Sequence, residues 1–184
     1  MPKVIATEAQ WIQAGVERFA QGGEGALVIE KMAGALGCSK SSFYWYFKDR
    51  TTLLKRVVEE WKERATNQVI DSTSPDSLPD ERIVSLLKHM FSSTGHGDFL
   101  FYLRQLSLTD EACRRFLDEV ETLRLDHMSG LLRQKGLPAE KAARRSRLLY
   151  HYYLGWYERH KNETISEEDL LYHVKMIWEE FVVS

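Results

Sequence analysis

The segment from Val28 to Leu54, VIEKMAGALGCSKSSFYWYFKDRTTLL, constrains the fold more than any other stretch of the 184-residue chain. Ile29, Met32, Ala33 and Leu36 recur at i, i+3, i+4 and i+7, the spacing of one buried helix face. Gly37 follows at once, and glycine adopts positive φ without steric cost, the usual way to end a helix. Ser39 can accept from the next backbone N–H groups and so cap a second helix. In that second helix Phe43 and Phe47, at i and i+4, anchor inward, leaving Lys40, Ser41, Ser42, Tyr44, Trp45 and Tyr46 beside them. Two short helices joined by a glycine turn make a helix-turn-helix, whose second helix reads the major groove.

The preceding residues supply a third helix. Thr7 and Gln10 have capping-box spacing for a helix to about Gln21, with Trp11, Ile12, Val16, Phe19 and Ala20 as its apolar face. Residues before Thr7 read as a short arm with Lys3 its one basic residue. Gln21-Gly-Gly-Glu-Gly25 ends the helix and leads into the motif.

Beyond the motif the pattern stays helical. Asp49 is a good cap for a helix from Arg50 to about Asp71, carrying Leu53, Leu54, Val57, Val58, Trp61 and Ala65. Ser72 to Pro79 is dense in turn residues. Pro79 then introduces Ile83, Leu86, Leu87, Met90 and Phe91. Asp98 can cap a short aromatic helix, Phe99 to Leu106. Thr109 can cap a long one, in which Ala112, Phe116, Val120, Leu123, Met128 and Leu131 follow before Gly136. Pro138 begins another, to about Lys161. Ser166 with Asp169 caps the last, whose stripe is Leu170, Leu171, Val174, Ile177, Trp178 and Phe181. No strand pattern or internal repeat appears, so the expected fold class is all-α.

Composition narrows the function classes. Cys38 and Cys113 lie far apart without CxxC spacing, which suggests neither a zinc site nor a disulfide framework and fits a reducing cytoplasm. No stretch approaches the roughly 18 continuous apolar residues of a membrane span. Lys and Arg number 25 against 27 Asp and Glu, a net charge of −2, which rules against a generic polycation. Sequence-specific DNA binding remains open, because only the face that meets phosphate must be basic.

The run M-A-x-x-L-G-C-S-K-S-S-F-Y-W-Y-F-K-D-R-T-T-L-L resembles the DNA-binding segment of the TetR family of bacterial transcriptional regulators. The likeness rests on Met32 and Ala33 before the turn, Gly37, Ser39 as cap, then Tyr44, Phe47 and Lys48 closing the recognition helix. It covers roughly the first third of the chain. It implies a helix-turn-helix DNA-binding domain over residues 1–50 and a helical effector-binding and dimerisation domain over 51–184, linked by the helix from about 50 to 71. The implied protein is a cytoplasmic homodimer, not an enzyme and without a cofactor, that binds a palindromic double-stranded operator and answers to a small-molecule effector. Repression is the expected outcome, with activation as the variant. Two departures stand out: Ala26-Leu-Val28 lacks the hydroxyl residue that usually opens the first helix of the motif, and the arm carries only Lys3. Both predict fewer phosphate contacts and a shallower salt dependence.

Each motif residue then has an expected role. Tyr44 and Tyr46 can donate to phosphate oxygens and Lys48 can neutralise one, which fixes register on the duplex. Lys40, Ser41 and Ser42, at the helix start, are placed to reach base edges, and Trp45 offers a flat face to a thymine methyl or a sugar. The resemblance further implies that the last two helices pack on their copies as a four-helix bundle, with Leu148, Leu149, Tyr152, Gly155, Trp156, Leu171, Val174, Trp178 and Phe181 as candidates. The middle helices would hold the effector, with Trp61, Met90, Phe91, Phe99, Tyr102, Leu106, Phe116, Met128 and Tyr153 as candidate lining and an apolar or aromatic ligand as the match.

Other chemistries find less support. His89, His96, His127 and His151 show neither HExxH nor i,i+4 ligand pairing, so no metal site is expected; His89, His96 and His151 could each give one polar contact to an effector. Cys38 sits in the turn, where oxidation would disturb DNA binding if the thiol were reactive. The run from Glu140 to Arg147 reads as a solvated helix face. The alternative from a different class is a small-molecule-binding helical protein whose helix-turn-helix no longer recognises an operator.

Overall fold

A computed structural model describes residues 6–72, 76–92, 97–161 and 163–183; Lys3, the rest of the arm before Ala6, and His96 lie outside them. Among the described residues the fold is helix and turn, without strands. The chain divides into two compact units, one of Met1–Ala65 with Gly97–Asp118 and one of Thr66–His96 with Glu119–Ser184.

The first unit is built around α1 (Glu8–Gly22). Its capping box forms as spaced: Thr7 Oγ1 accepts the Gln10 N–H at 3.3 Å, and Gln10 Oε1 accepts the Thr7 N–H at 2.8 Å. Trp11, Ile12, Gly15, Phe19 and Ala20 are its buried residues. They pack on α3 (Arg50–Lys62), through Leu53, Leu54, Val57 and Val58, and on α6 (Phe99–Ser107), through Phe99, Leu100 and Leu103. Gly15 is needed for this approach, because a Cβ there would stand 2.4 Å from Val57 Cγ2. Val16, expected in the apolar face, is only partly buried, and Gly15 takes the inner position. Trp61 lies flat on Phe99 (centroids 4.8 Å apart, 6° between planes), which in turn packs on Phe19. Asp49 caps α3 as expected, accepting the Thr52 N–H at 2.8 Å. The helix expected to continue to about Asp71 does continue, but through a π-helical turn at Glu63–Asn67 before α4 (Gln68–Ser72).

The second unit holds α5 (Pro79–Ser92), the C-terminal part of α7 (Glu111–Gln134), α8 (Ala139–His160), α9 (Glu167–Ile177) and a closing π-helical segment, Trp178–Val183. Its core gathers Ile83, Leu87, Phe91, Leu131, Leu149, Val174 and Ile177. Phe91 meets the edge of Trp156 (4.9 Å, 83°) and of Tyr153 (5.7 Å, 83°). Ser146 is buried because its hydroxyl donates to the Leu125 carbonyl at 2.7 Å, which satisfies the polar group inside the core. Ser166 caps α9 through the Asp169 N–H, as spaced.

Three local expectations are corrected. Asp110, not Thr109, caps α7: its Oδ1 accepts the Cys113 N–H at 2.8 Å, and a carboxylate is the stronger acceptor. On α7 the expected Val120, Met128 and Leu131 are buried, but the first turns face inward through Cys113 and Leu117, which leaves Ala112 and Leu123 exposed and Phe116 partly buried. Asp98 precedes α6, but its side chain makes no capping bond; the Asp98 N–H instead donates to the Ala20 carbonyl at 2.7 Å and ties the start of α6 to the end of α1.

Candidate nucleic-acid interface

The first helix of the motif is α2 (Ile29–Ala35), with Met32 and Ala33 buried. Gly37 takes φ 64°, and the turn closes with the Cys38 N–H on the Ala33 carbonyl (3.0 Å) and the Gly37 N–H on Gly34 (3.2 Å). This is the Schellman pairing, which satisfies two carbonyls that the helix end would orphan. The second element, Lys40–Trp45, is a 3-10 helix rather than the expected α-helix. Ser39 does not cap it by side chain: its Oγ lies 2.7 Å from Ser41 Oγ, while the Ser42 N–H and Ser42 hydroxyl both bond the Ser39 carbonyl. The tighter winding turns Ser42 inward, where it is 1% exposed. It therefore does not share the outer face expected for it. Its hydroxyl also reaches Cys38 Sγ at 3.4 Å.

Phe43 and Phe47 are fully buried, stacked on each other at 5.2 Å, with Phe43 against Trp11 of α1. That anchoring pushes the rest of the element into solvent. Tyr44 is 56%, Trp45 63% and Tyr46 39% exposed, with Lys40, Ser41 and Lys48 on the outside as well. Three consecutive exposed aromatics flanked by two lysines form an outer surface that water does not reward, the mark of an interaction face. Lys40 forms an ion pair with Glu30, on the first turn of α2. The pairing holds the Glu30 carboxyl below its ordinary pKa and raises that of Lys40. Sequence reading passed over Glu30; the available signal was an acid in the first turn of α2 facing a base at the start of the next element.

Residues 12–57 match the family of bacterial regulatory proteins, tetR family. The match covers the helix-turn-helix segment, 46 of the 184 residues. It identifies this segment as one of the kind found in bacterial regulatory proteins. No curated protein matches the chain as a sequence relative. Solved structures share its fold over nearly the whole length. A transcriptional regulator from Rhodococcus sp. Rha1 superposes with a TM-score of 0.75 at 12% identity, covering 97% of this chain and 100% of the other. The regulatory protein TetR from Rhodobacter sphaeroides gives 0.73 at 18%, covering 95% and 98%. The regulator FadR from Bacillus subtilis, solved in complex with stearoyl-CoA, gives 0.66 at 18%, covering 96% and 98%.

Elsewhere in the chain, the residues expected to line an effector pocket fall into both units. Trp61, Phe99, Tyr102, Leu106 and Phe116 belong to the first, where the Tyr102 hydroxyl donates to the Gln21 carbonyl. Met90, Phe91, Met128 and Tyr153 belong to the second, where Phe91 and Met128 are core. Of the bundle candidates on α8 and α9, Leu149 and Val174 are buried within the unit, while Leu148 (55%) and Leu171 (44%) are exposed; Gly155 is also exposed. Leu171 thus lies outside the inner stripe expected of α9. Tyr152, Trp156, Trp178 and Phe181 are partly buried against the core. An open groove of about 420 Å³ runs along α5, lined by Asp80, Glu81, Val84, Ser85, Lys88 and Trp178. Cys113, beside Asp110, has its thiol pushed up to about 11 by burial. His151 is exposed on α8. No helix among the described residues is long and apolar enough to cross a membrane.

Proposed function

We propose that the chain is a cytoplasmic, homodimeric, ligand-responsive repressor that binds a palindromic operator. The observation that carries the DNA-binding face is the continuous exposure of Tyr44, Trp45 and Tyr46 between Lys40 and Lys48, on an element anchored by two buried phenylalanines. In this reading Lys40 and Ser41 contact base edges, Tyr44, Tyr46 and Lys48 hold phosphates, and Trp45 covers a thymine methyl or a sugar. Ser42 is not assigned a DNA contact, because its hydroxyl is committed to Ser39. Residues 1–50 form the DNA-binding part and 51–184 the effector and dimer part.

A readout element of six residues supplies few base contacts, so two copies on two half-sites about one helical turn apart are required for specificity. The outward Leu148 and Leu171 support a dimer face on α8 and α9. A neighbour of this fold solved in complex with stearoyl-CoA supports a response to a ligand. The effector acts by favouring a spacing of the two readout elements that no longer fits the half-sites.

Selection of the purified protein on a random double-stranded DNA pool, at two salt concentrations, tests this. Enrichment of a palindrome is the expected result. Salt-sensitive binding without enrichment would leave only the electrostatic part of the interaction. Absence of binding at both salts, with a folded protein, would favour the alternative of a helical ligand-binding protein.

A further inference from the structure

Glu30 lies in the first turn of α2, Lys40 opens the element after the turn, and the two form an ion pair with both side chains largely exposed. The Gly37 turn holds them in that register. The Cys38 N–H bonds the Ala33 carbonyl and the Gly37 N–H that of Gly34, while Met32, Ala33 and Phe43 are buried behind them. In motifs of this kind the first helix crosses the backbone and the start of the second reaches base edges. Glu30 is an exception, because the ion pair brings a residue of the first helix to the ammonium that begins the second.

Folding does not explain a carboxylate in that place. A pair this exposed contributes little to stability, and an anion on a face turned to DNA is repelled by phosphate. The acid is nevertheless kept ionised: the Lys40 ammonium, and after it the residue's own backbone N–H, hold the Glu30 carboxyl below the ordinary carboxylate range. An ionised carboxylate only accepts hydrogen bonds, so on a base-pair edge an amino group alone can match it.

We propose that Glu30 and Lys40 together read one G·C pair in each half-site, with Lys40 on guanine O6 and N7 and Glu30 on the amino group of cytosine. The inference rests on the proposed operator binding and names a base pair that is read. The major-groove edge of G·C sets two acceptors, N7 and O6, beside one donor, the N4 amino group. That order complements an ammonium beside a carboxylate. Guanine O6 and cytosine N4 are themselves hydrogen-bonded at about 2.9 Å, close to the separation of a bonded ammonium and carboxylate. On docking, guanine takes the ammonium from Glu30 and cytosine takes the freed carboxylate, so neither charge is left without a partner. A·T separates its two acceptors by the adenine amino group, which opposes the ammonium. A phosphate accepts Lys40 but leaves the carboxylate facing like charge, which disfavours random sequence.

Selection on the random duplex pool with the natural chain, Glu30→Gln and Lys40→Ala, followed by anisotropy on the selected operator, tests the pair. The natural chain should enrich one G·C pair per half-site whose replacement by A·T weakens binding at least roughly fivefold. Lys40→Ala should relax the guanine. Glu30→Gln should keep the other positions and admit adenine in place of the cytosine, since glutamine pairs with adenine N6 and N7. N4-methylcytosine in that pair puts a methyl where the major-groove N–H was; it should weaken the natural chain and leave Glu30→Ala unaffected. Equal weakening of both would overturn the inference. So would a Glu30→Gln chain that binds every sequence more tightly with unchanged base preference, or an operator in which no G·C pair responds to both substitutions. Those outcomes leave operator binding standing, whereas a folded protein that enriches no site defeats both readings. Retained helical circular dichroism establishes that the variants fold, as substitutions of exposed side chains should.

Discussion

The ammonium of Lys40, at the start of the readout element, is held by the carboxylate of Glu30, ten residues earlier on α2. Both side chains are largely exposed, so the pair contributes little to folding. Its consequence is for recognition. A lysine already compensated by a neighbouring acid attracts phosphate less, and duplex must offer it an acceptor in the right place to displace Glu30. Glu30→Gln should therefore raise affinity for random duplex, steepen the salt dependence by up to about one unit of log–log slope, and narrow the gap between specific and random DNA. Fluorescence anisotropy across a salt series on both duplexes checks this. An unchanged slope and unchanged ratio would show that Glu30 does not govern Lys40. Lys40→Ala, by contrast, should relax preference at one or two base positions.

Gly15 and Val57 set how closely α1 approaches α3. Gly15→Ala places a methyl 2.4 Å from a stiff β-branched side chain, and overpacking of this kind costs roughly 1–3 kcal/mol. The better helix propensity of alanine offsets up to about 1 kcal/mol of that. Urea unfolding should show a net loss for Gly15→Ala, a larger one for Gly15→Val, and partial recovery when Val57→Ala is added to Gly15→Ala. Additive single effects would mean that the two residues do not clash.

Leu148 and Leu171 are apolar and outward on α8 and α9. Replacing each by arginine changes little inside the unit but opposes any partner that covers them. Sedimentation velocity should find a dimer for the natural chain and monomers for the double variant, with the helical circular dichroism retained. A dimer that survives both substitutions would move the interface to another surface. These leucines are cleaner probes than Trp178, whose ring already carries the Lys135 ammonium at 4.7 Å.

His89, His127 and His173 are all held below the ordinary imidazole range, chiefly by burial and further by Arg124, Arg82 and His160 respectively. For a group with a depressed folded pKa, the unfolded chain takes up the proton first. Stability from these residues is therefore fully present above the unfolded value of about 6.5 and declines as pH falls through it towards the lower folded values. The melting temperature of the unliganded protein should drop between pH 7.5 and 5.5, and His127→Gln should flatten part of that slope. A melting temperature that rises on acidification would contradict the assignment.

How much of this was legible in the sequence depends on the range of the interaction. Thr7 with Gln10, Asp49 with Thr52, Ser166 with Asp169 and the Gly37 turn are each settled within three to five residues. Their chemistry allows few alternatives, and the helix-turn-helix could be read from them before any coordinates. The periodicity of Phe43 and Phe47 likewise fixed which side of the readout element points inward.

Reading failed where two partners of similar quality competed. Thr109 and Asp110 are both helix caps, and geometry chose the carboxylate. On α7 the stripes through Ala112 and Cys113 are both plausible, because a 24-residue helix shows only that an apolar face exists; what packs on it sets its phase. Ser42 looked like a surface residue because it was placed on an ideal α-helix, and the 3-10 winding rotated it inside.

By itself the sequence determined the all-α class, the position of the turn, the starts of α1, α3 and α9 and the inward phenylalanines, since these follow from local hydrogen bonding and from the helical repeat. Only the tertiary structure decided that Glu30 holds Lys40, that Gly15 admits Val57, and that Lys135 pairs with Asp80. Those residues are brought together by helix packing across ten to more than forty positions, and no local spacing rule reaches that far.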